Sequence, residues 1–191
     1  MRLTNPVAAA VCGASMLLAG ASCHTEPKGE NKADFLARAD SSRAQFERSV
    51  KGLHEQIQHS AGYVIFPDVA QFGILFAGAT WGRGALYKPD NTQLGWAALN
   101  NGSVGLEAGV QGFRMLMVIE DQATLKKFMG NQLTGNAAAV AVGSEAGGSA
   151  SAAFQHGVVV YEGANRGLMA GATIGLNYVK FKTMDAESTG K

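Results

Sequence analysis

From Ala33 to about His59, apolar or small side chains recur at steps of three and four: Phe35, Ala39, Ser42, Phe46, Val50, Leu53 and Ile57. That spacing is one face of a helix. Asp34, Arg38, Asp40, Arg43, Glu47, Arg48, Lys51 and Glu55 occupy the rest of its circumference. The pattern predicts one long helix or two shorter ones. Gly52 is the only glycine inside it, and Asp40-Ser41-Ser42 offers an internal N-cap, hence a possible break. Such a helix either packs across a sheet or lies on a bilayer with Arg38, Arg43, Arg48 and Lys51 at the head groups. Its nearly balanced charge argues against strong membrane binding by the helix alone.

Beyond Gly62 the period drops to that of strands. Gly62 to Phe66 is a compact apolar strand, ended by Pro67-Asp68. Phe72 to Phe76 leads into a phrase that recurs later in the chain, and Gly82-Arg83-Gly84 reads as a tight turn or bulge before Ala85-Leu86-Tyr87. Lys88-Pro89-Asp90-Asn91 is a turn signal. Gly95 to Leu99 is a short strand, closed by the hairpin signal Asn100-Asn101-Gly102. Val104 to Ile119 is long for one strand and predicts a bend or bulge near Gly112. A short helix follows near 121–129, with Asp121 as N-cap and Gly130 as stop. Ala137 to Gly148 reads as a strand or surface loop. Ser149 to Phe154, Val158 to Tyr161 and Leu168 to Phe181 complete the strands, the last two joined by a turn at Gly163 to Gly167.

One phrase recurs within these strands. Ala77-Gly78-Ala79-Thr80-Trp81-Gly82 returns as Ala170-Gly171-Ala172-Thr173-Ile174-Gly175, with a looser copy at Ala108 to Gly112. Alternation places Gly78, Thr80 and Gly82 on one face of the first copy, and Ala77, Ala79 and Trp81 on the other. The corresponding small or polar faces are Gly105, Glu107 and Gly109 in the middle copy, and Gly171, Thr173 and Gly175 in the last. Glycine weakens a strand and marks bulges, bends or close approach of another group. Its repetition predicts strongly curved sheets, or a groove face that an acyl chain or partner strand enters. The fold class expected is α+β: curved antiparallel, barrel-like or sandwich-like glycine-rich sheets, an amino-terminal amphipathic helical segment, and one short helix.

Composition sharpens this. In 191 residues, 47% are hydrophobic and only 16% charged, so the chain has material for a real core. Of its 25 glycines, all but Gly13, Gly20, Gly29 and Gly52 lie at or after Gly62. The formal charge is +1, and removing residues 1–22, with Arg2, brings it to zero. A neutral chain has no general electrostatic reason to bind nucleic acid.

The amino terminus reads as a secretory signal over residues 1–22: a basic start, an apolar run from Val7 to Ala21, then small residues. Ala19-Gly20-Ala21 suits ordinary cleavage. Gly20-Ala21-Ser22-Cys23 resembles a bacterial lipobox with glycine where leucine is usual. Cys12 leaves with the signal, so Cys23 has no internal disulfide partner. Lipidation would give that thiol a use, and the lipoprotein is favoured over a soluble secreted form. Residues 23–34 then read as a tether, 35–183 as the folded domain and 184–191 as a flexible tail.

The segments of the domain resemble the SYLF family. The matching residues are Tyr63-Val64-Ile65-Phe66-Pro67, Phe72-Gly73-Ile74, Gly82-Arg83-Gly84-Ala85-Leu86 and Gly102 to Gly109. They continue with Leu125 to Phe128, Ala141-Val142-Gly143, Val160-Tyr161 and Gly167 to Gly171. The resemblance covers roughly Phe46 to Val179. It departs from the family at Glu107, often glutamine there, and at Tyr161-Glu162, often Tyr-Ser. The resemblance implies a domain of bacterial envelope lipoproteins and eukaryotic actin-patch proteins that binds acidic phospholipids, with actin or an envelope protein as other possible partners. It implies no reaction and no cofactor. Basic residues near the amino-terminal helix are the implied head-group contacts; Arg38, Arg43, Arg48, Lys51, Lys126 and Lys127 are the candidates here. No binding residue carries over from a diagnostic motif. The implied location is the bacterial envelope, on the periplasmic side of the outer membrane.

Catalytic and metal patterns are missing from the sequence. His54 and His59 are five apart and do not stack on one helical turn. There is no HExxH, CxxC or phosphate-binding lysine loop. Glu107 is the acid to watch: if buried, it needs a partner such as Arg83 or Arg114. The reading is therefore a non-enzymatic lipid-binding lipoprotein; the rival reading is a protein-interaction module without lipid binding.

Overall fold

A computed structural model describes residues 31–74, 77–104, 109–133, 138–140, 153–164, 173–175 and 179–183. Residues 1–30, which include the expected signal segment and Cys23, lie outside the described residues, as do Gly105, Glu107, Gly171 and residues 184–191.

The amphipathic stretch forms two helices, α1 (Asn31–Ser49) and α2 (Leu53–Gln58). Asn31 to Asp34 thus belong to the helix rather than to the tether. The chain does not break at Asp40-Ser41-Ser42, because Ser42 lies on the buried face with Phe35, Ala39 and Phe46. It breaks at Gly52, whose φ of 80° is the left-handed conformation that glycine tolerates best. Val50, Leu53 and Ile57 carry the buried stripe across the break.

Six strands form one antiparallel, unclosed sheet in the order β6-β4-β1-β2-β3-β8. They are β1 (Gly62–Ile74), β2 (Ala77–Tyr87), β3 (Gln93–Val104), β4 (Gly109–Ile119), β6 (Val158–Ala164) and β8 (Val179–Thr183). Two short strands, β5 (Ala138–Val140) and β7 (Thr173–Gly175), pair separately. The stretch from Leu168 to Phe181 therefore serves two sheets rather than one strand.

Pro67-Asp68 does not end β1. The register against β2 and β4 slips by one residue there, a bulge that accommodates a residue with no backbone donor. Its partner β2 runs straight through Gly82-Arg83-Gly84, where a turn or bulge was expected. A Cβ at Gly84 would lie 2.7 Å from the Phe66 ring, so glycine here lets β2 close on the bulge. β3 likewise runs through Asn100-Asn101-Gly102, paired with Trp81, Thr80 and Ala79. Gly112 pairs regularly with Ala70, without a bulge in β4. The turn at Lys88 to Asn91 forms as read, with Asn91 at φ 68°.

The two faces of the sheet carry separate cores. Helices α1 and α2 cover what we term the outer face, burying Tyr63, Ile65, Ala85, Tyr87, Trp96, Leu116, Val118, Val159 and Tyr161. Phe35 meets Trp96 edge-on at 5.6 Å between ring centroids. The inner face gathers Val64, Phe66, Val69, Leu86, Leu99, Phe113, Met115, Met117, Val160 and Phe181. Helix α3 (Gln122–Met129) adds Leu125 and Phe128 to it. Asp121 caps α3 by accepting from the Thr124 amide at 2.8 Å, and Gly130 follows its last turn. Asn131 then binds both backbone groups of Phe181, accepting from its N–H at 2.6 Å and donating to its carbonyl at 3.2 Å. That clamp ties the end of α3 to edge strand β8.

Candidate functional site

Polar groups converge most densely where α1 crosses the β2–β3 turn. Arg43 projects from α1 and binds Glu47 one turn later through Nε and Nη2, each at 2.9 Å. Its Nη1 donates to the Tyr63 hydroxyl at 3.1 Å and to Asn91 Oδ1. The Tyr63 hydroxyl donates to that same oxygen at 2.9 Å. The guanidinium carbon sits 5.2 Å from the centre of the Tyr63 ring, which stacks on Tyr87 at 5.3 Å. Burial pushes the Tyr63 hydroxyl up to about 12 and raises Tyr87 as well, so both phenols stay neutral donors.

Beside this cluster lies a hollow of about 500 Å³, lined by Leu36, Asp40, Arg43, Glu47, Tyr87 and Asn91 among others. It presents two carboxylates against one guanidinium whose donors already have partners. It is therefore a poor seat for an anion, and Arg43 acts chiefly as a strut between helix, strand and turn. A more open hollow of about 590 Å³ lies between α2 and Phe154, lined by Lys51, Glu55, Gln56 and His59.

The other basic candidates are dispersed. Arg38 is exposed and pairs with Asp68 at 2.9 Å. Arg48 and Lys51 are exposed on the helical side, whereas Lys126 and Lys127 are exposed on α3, which packs on the opposite face. The six do not form one patch.

The glycine face is visible best in β2. Thr80 is buried, and Gly82 and Gly84 follow it on the inner face. A Cβ at Gly82 would come within 3.0 Å of Val69, so at these two glycines the space is filled by β1 rather than left as a groove. Gly78 and Gly109 both pair with Gly73 of β1, on its two sides. Thr173 and Gly175 pair with Val140 and Ala138.

Two features escape a reading of the sequence. Glu162 lies on the inner face beside Met115, 5% exposed, with Oε1 lacking any hydrogen-bond partner. Burial raises its carboxyl to about 7. The alternation Val158, Val160, Glu162 was the available signal. Second, Trp81 and Phe72 are the large apolar side chains left exposed among the described residues, at 48% and 38%. Among those residues there is no group of three His, Cys, Asp or Glu suited to a metal ion, and no helix long and apolar enough to cross a membrane.

Residues 100–187 match the family described as Ysc84, Las17-binding protein actin regulator. This stretch is thus similar to the Ysc84 (SYLF) domain. The match takes in β4, α3 and every strand after them, and it begins within β3. The segments from Tyr63 to Leu86 that resemble the same family lie before it, in the hairpin that pairs with β3 and β4. No curated protein matches the chain significantly.

Proposed function

We propose that the protein is a non-enzymatic phospholipid-binding module that works at a membrane surface. The observation that carries this reading is the similarity to the Ysc84 (SYLF) domain, a family associated with lipid and actin-patch functions. On this reading Cys23 is the lipidated first residue of an envelope lipoprotein facing the periplasm, which keeps the domain within tether's reach of a bilayer. Lipid chains contribute roughly 0.8 kcal/mol per buried CH₂, so several chains anchor firmly.

Flotation of the mature chain from residue 23 onward, carrying Cys23→Ser, with vesicles of neutral lipid alone or with anionic lipid, tests the binding. The chain is expected to float with the anionic vesicles; absence from both floating fractions refutes the reading. Labelled palmitate tests the anchor separately, since Cys23→Ser should abolish incorporation.

The family description itself favours a second reading, in which the domain binds a protein such as an actin regulator or an envelope partner. A partner retained after complete removal of lipid would support it.

A further inference from the structure

Among the described residues, strands β1 and β2 extend past α1, and Trp81 and Phe72 stay exposed on the outer face there. The cross-strand register sorts its side chains into rows. The row nearest the helix holds Asp68, Arg83, Ala98 and Lys180, one from each of four neighbouring strands. Arg83 and Lys180 are exposed, and Asp68 is neutralised by Arg38. The next row holds Ala70, Trp81 and Asn100; the row beyond it holds Phe72 and Ala79. Trp81 and Phe72 are diagonal neighbours on one face, within reach of each other's rings. No charged side chain occurs in the sequence between Asp68 and Arg83.

Rows on one face are about 7 Å apart, since each strand residue advances roughly 3.3 Å. Moving outward from the helix, the order is therefore cation, then tryptophan, then phenylalanine, over about 13 Å. A bilayer has the same sequence of preferences with depth: phosphates first, the indole at the interface, then hydrocarbon. An interfacial protein element sinks about 5–10 Å. A protein partner requires no such ordering.

We infer that this uncovered end of the outer face is a bilayer-docking surface, with Phe72 and Trp81 entering a membrane that contains anionic lipid while Arg83 and Lys180 meet its phosphates. The inference rests on the phospholipid reading above and assigns it a place. It moves the contact away from the helical arginines to residues on β1, β2 and β8.

The two tryptophans provide the test. Trp96 is fully buried and Trp81 is half exposed, so a quencher in the bilayer reaches Trp81 first. The mature chain from residue 23 onward, carrying Cys23→Ser, is mixed with phosphatidylcholine vesicles, with or without phosphatidylglycerol, bearing bromine on the acyl chains. Anionic vesicles should quench the emission, and Trp81→Phe should remove most of that quenching. Trp81→Ser with Phe72→Ser should weaken partitioning about tenfold or more, the scale expected for withdrawing two aromatic side chains from an apolar phase. Both positions are exposed, so the unfolding midpoint serves as the folding control. Because the quenching is read at Trp81 itself, attachment through another part of the chain does not imitate it.

Failure of the parent to bind any vesicle overturns the phospholipid reading and this inference together. Binding without Trp81 quenching, and unchanged in the double serine variant, overturns the docking surface alone. Equal quenching by neutral vesicles removes the role of Arg83 and Lys180. A Trp81 response to polyglutamate but not to vesicles assigns the surface to an acidic protein instead.

Discussion

The same two strands, β1 and β2, behave oppositely along their length. Near α1 their outer face carries Tyr63, Ile65, Ala85 and Tyr87, all buried under a helix. Past Asp68 and Arg83 the same face carries Ala70, Phe72, Ala79 and Trp81, with both large aromatics exposed. The chemistry of the side chains scarcely changes; the cover does. Aromatic residues here are not in themselves core or contact residues. Among the described residues, what separates them is whether α1 or α2 packs over them.

That contrast predicts its largest energetic difference between the two tryptophans. Trp96→Ala, under Phe35 and with Lys32 5.5 Å from its ring, should cost about 3–5 kcal/mol of unfolding free energy. Trp81→Ala should cost under about 0.5 kcal/mol. Comparable losses in urea titrations would erase the distinction between covered and bare halves.

The next effect lies on the inner face. The Glu162 carboxyl titrates at about 7 when folded, against the ordinary 4.5. The folded chain thus holds this proton more tightly than the unfolded one. Stability contributed by the neutral form is complete below about pH 4.5, falls as pH rises through 7, and is lost above it. The full excursion is on the order of 3 kcal/mol. Thermal midpoints measured from pH 5 to 8 should fall for the parent and fall less for Glu162→Gln; parallel curves would refute this.

On the covered outer half, Arg43→Met should cost about 2 kcal/mol, because Glu47, Tyr63 and Asn91 all lose a charged donor. The exposed Arg38–Asp68 pair marks the limit of that cover, and Arg38→Met should cost under about 1 kcal/mol. Chemical denaturation of both variants orders them, and a larger loss at Arg38 would contradict the strut assigned to Arg43. Between these two lies the α3 cap: Asp121→Ala should cost about 1 kcal/mol, seen as a lowered unfolding midpoint.

Much of this architecture can be read in the amino acids. The stripe from Phe35 to Ile57 gives the helical cover, and Asp121 with Gly130 delimits α3, because these signals are local. The turn signals at Gly82-Arg83-Gly84 and Asn100-Asn101-Gly102 mislead for the opposite reason. Their preferences are overridden by cross-strand pairing along the whole β1–β2–β3 meander, to which no single window has access. Arg43 reads as a free surface cation on a helical wheel, since Tyr63 and Asn91 lie far along the chain. The exposure of Trp81 is equally hidden: alternation gives it a face, and only the extent of α1 says what covers that face.

The extra residue at the Phe66–Asp68 bulge acts as a parity switch. Before it, even-numbered side chains of β1, Val64 and Phe66, point to the inner core; after it, odd-numbered Val69 and Gln71 do. Removing one residue there, with pairing otherwise kept, would turn Phe72 inward and bring Gln71 out to solvent. A single-codon deletion would thus exchange what this sheet conceals for what it displays while leaving every side chain of the displayed end in the gene.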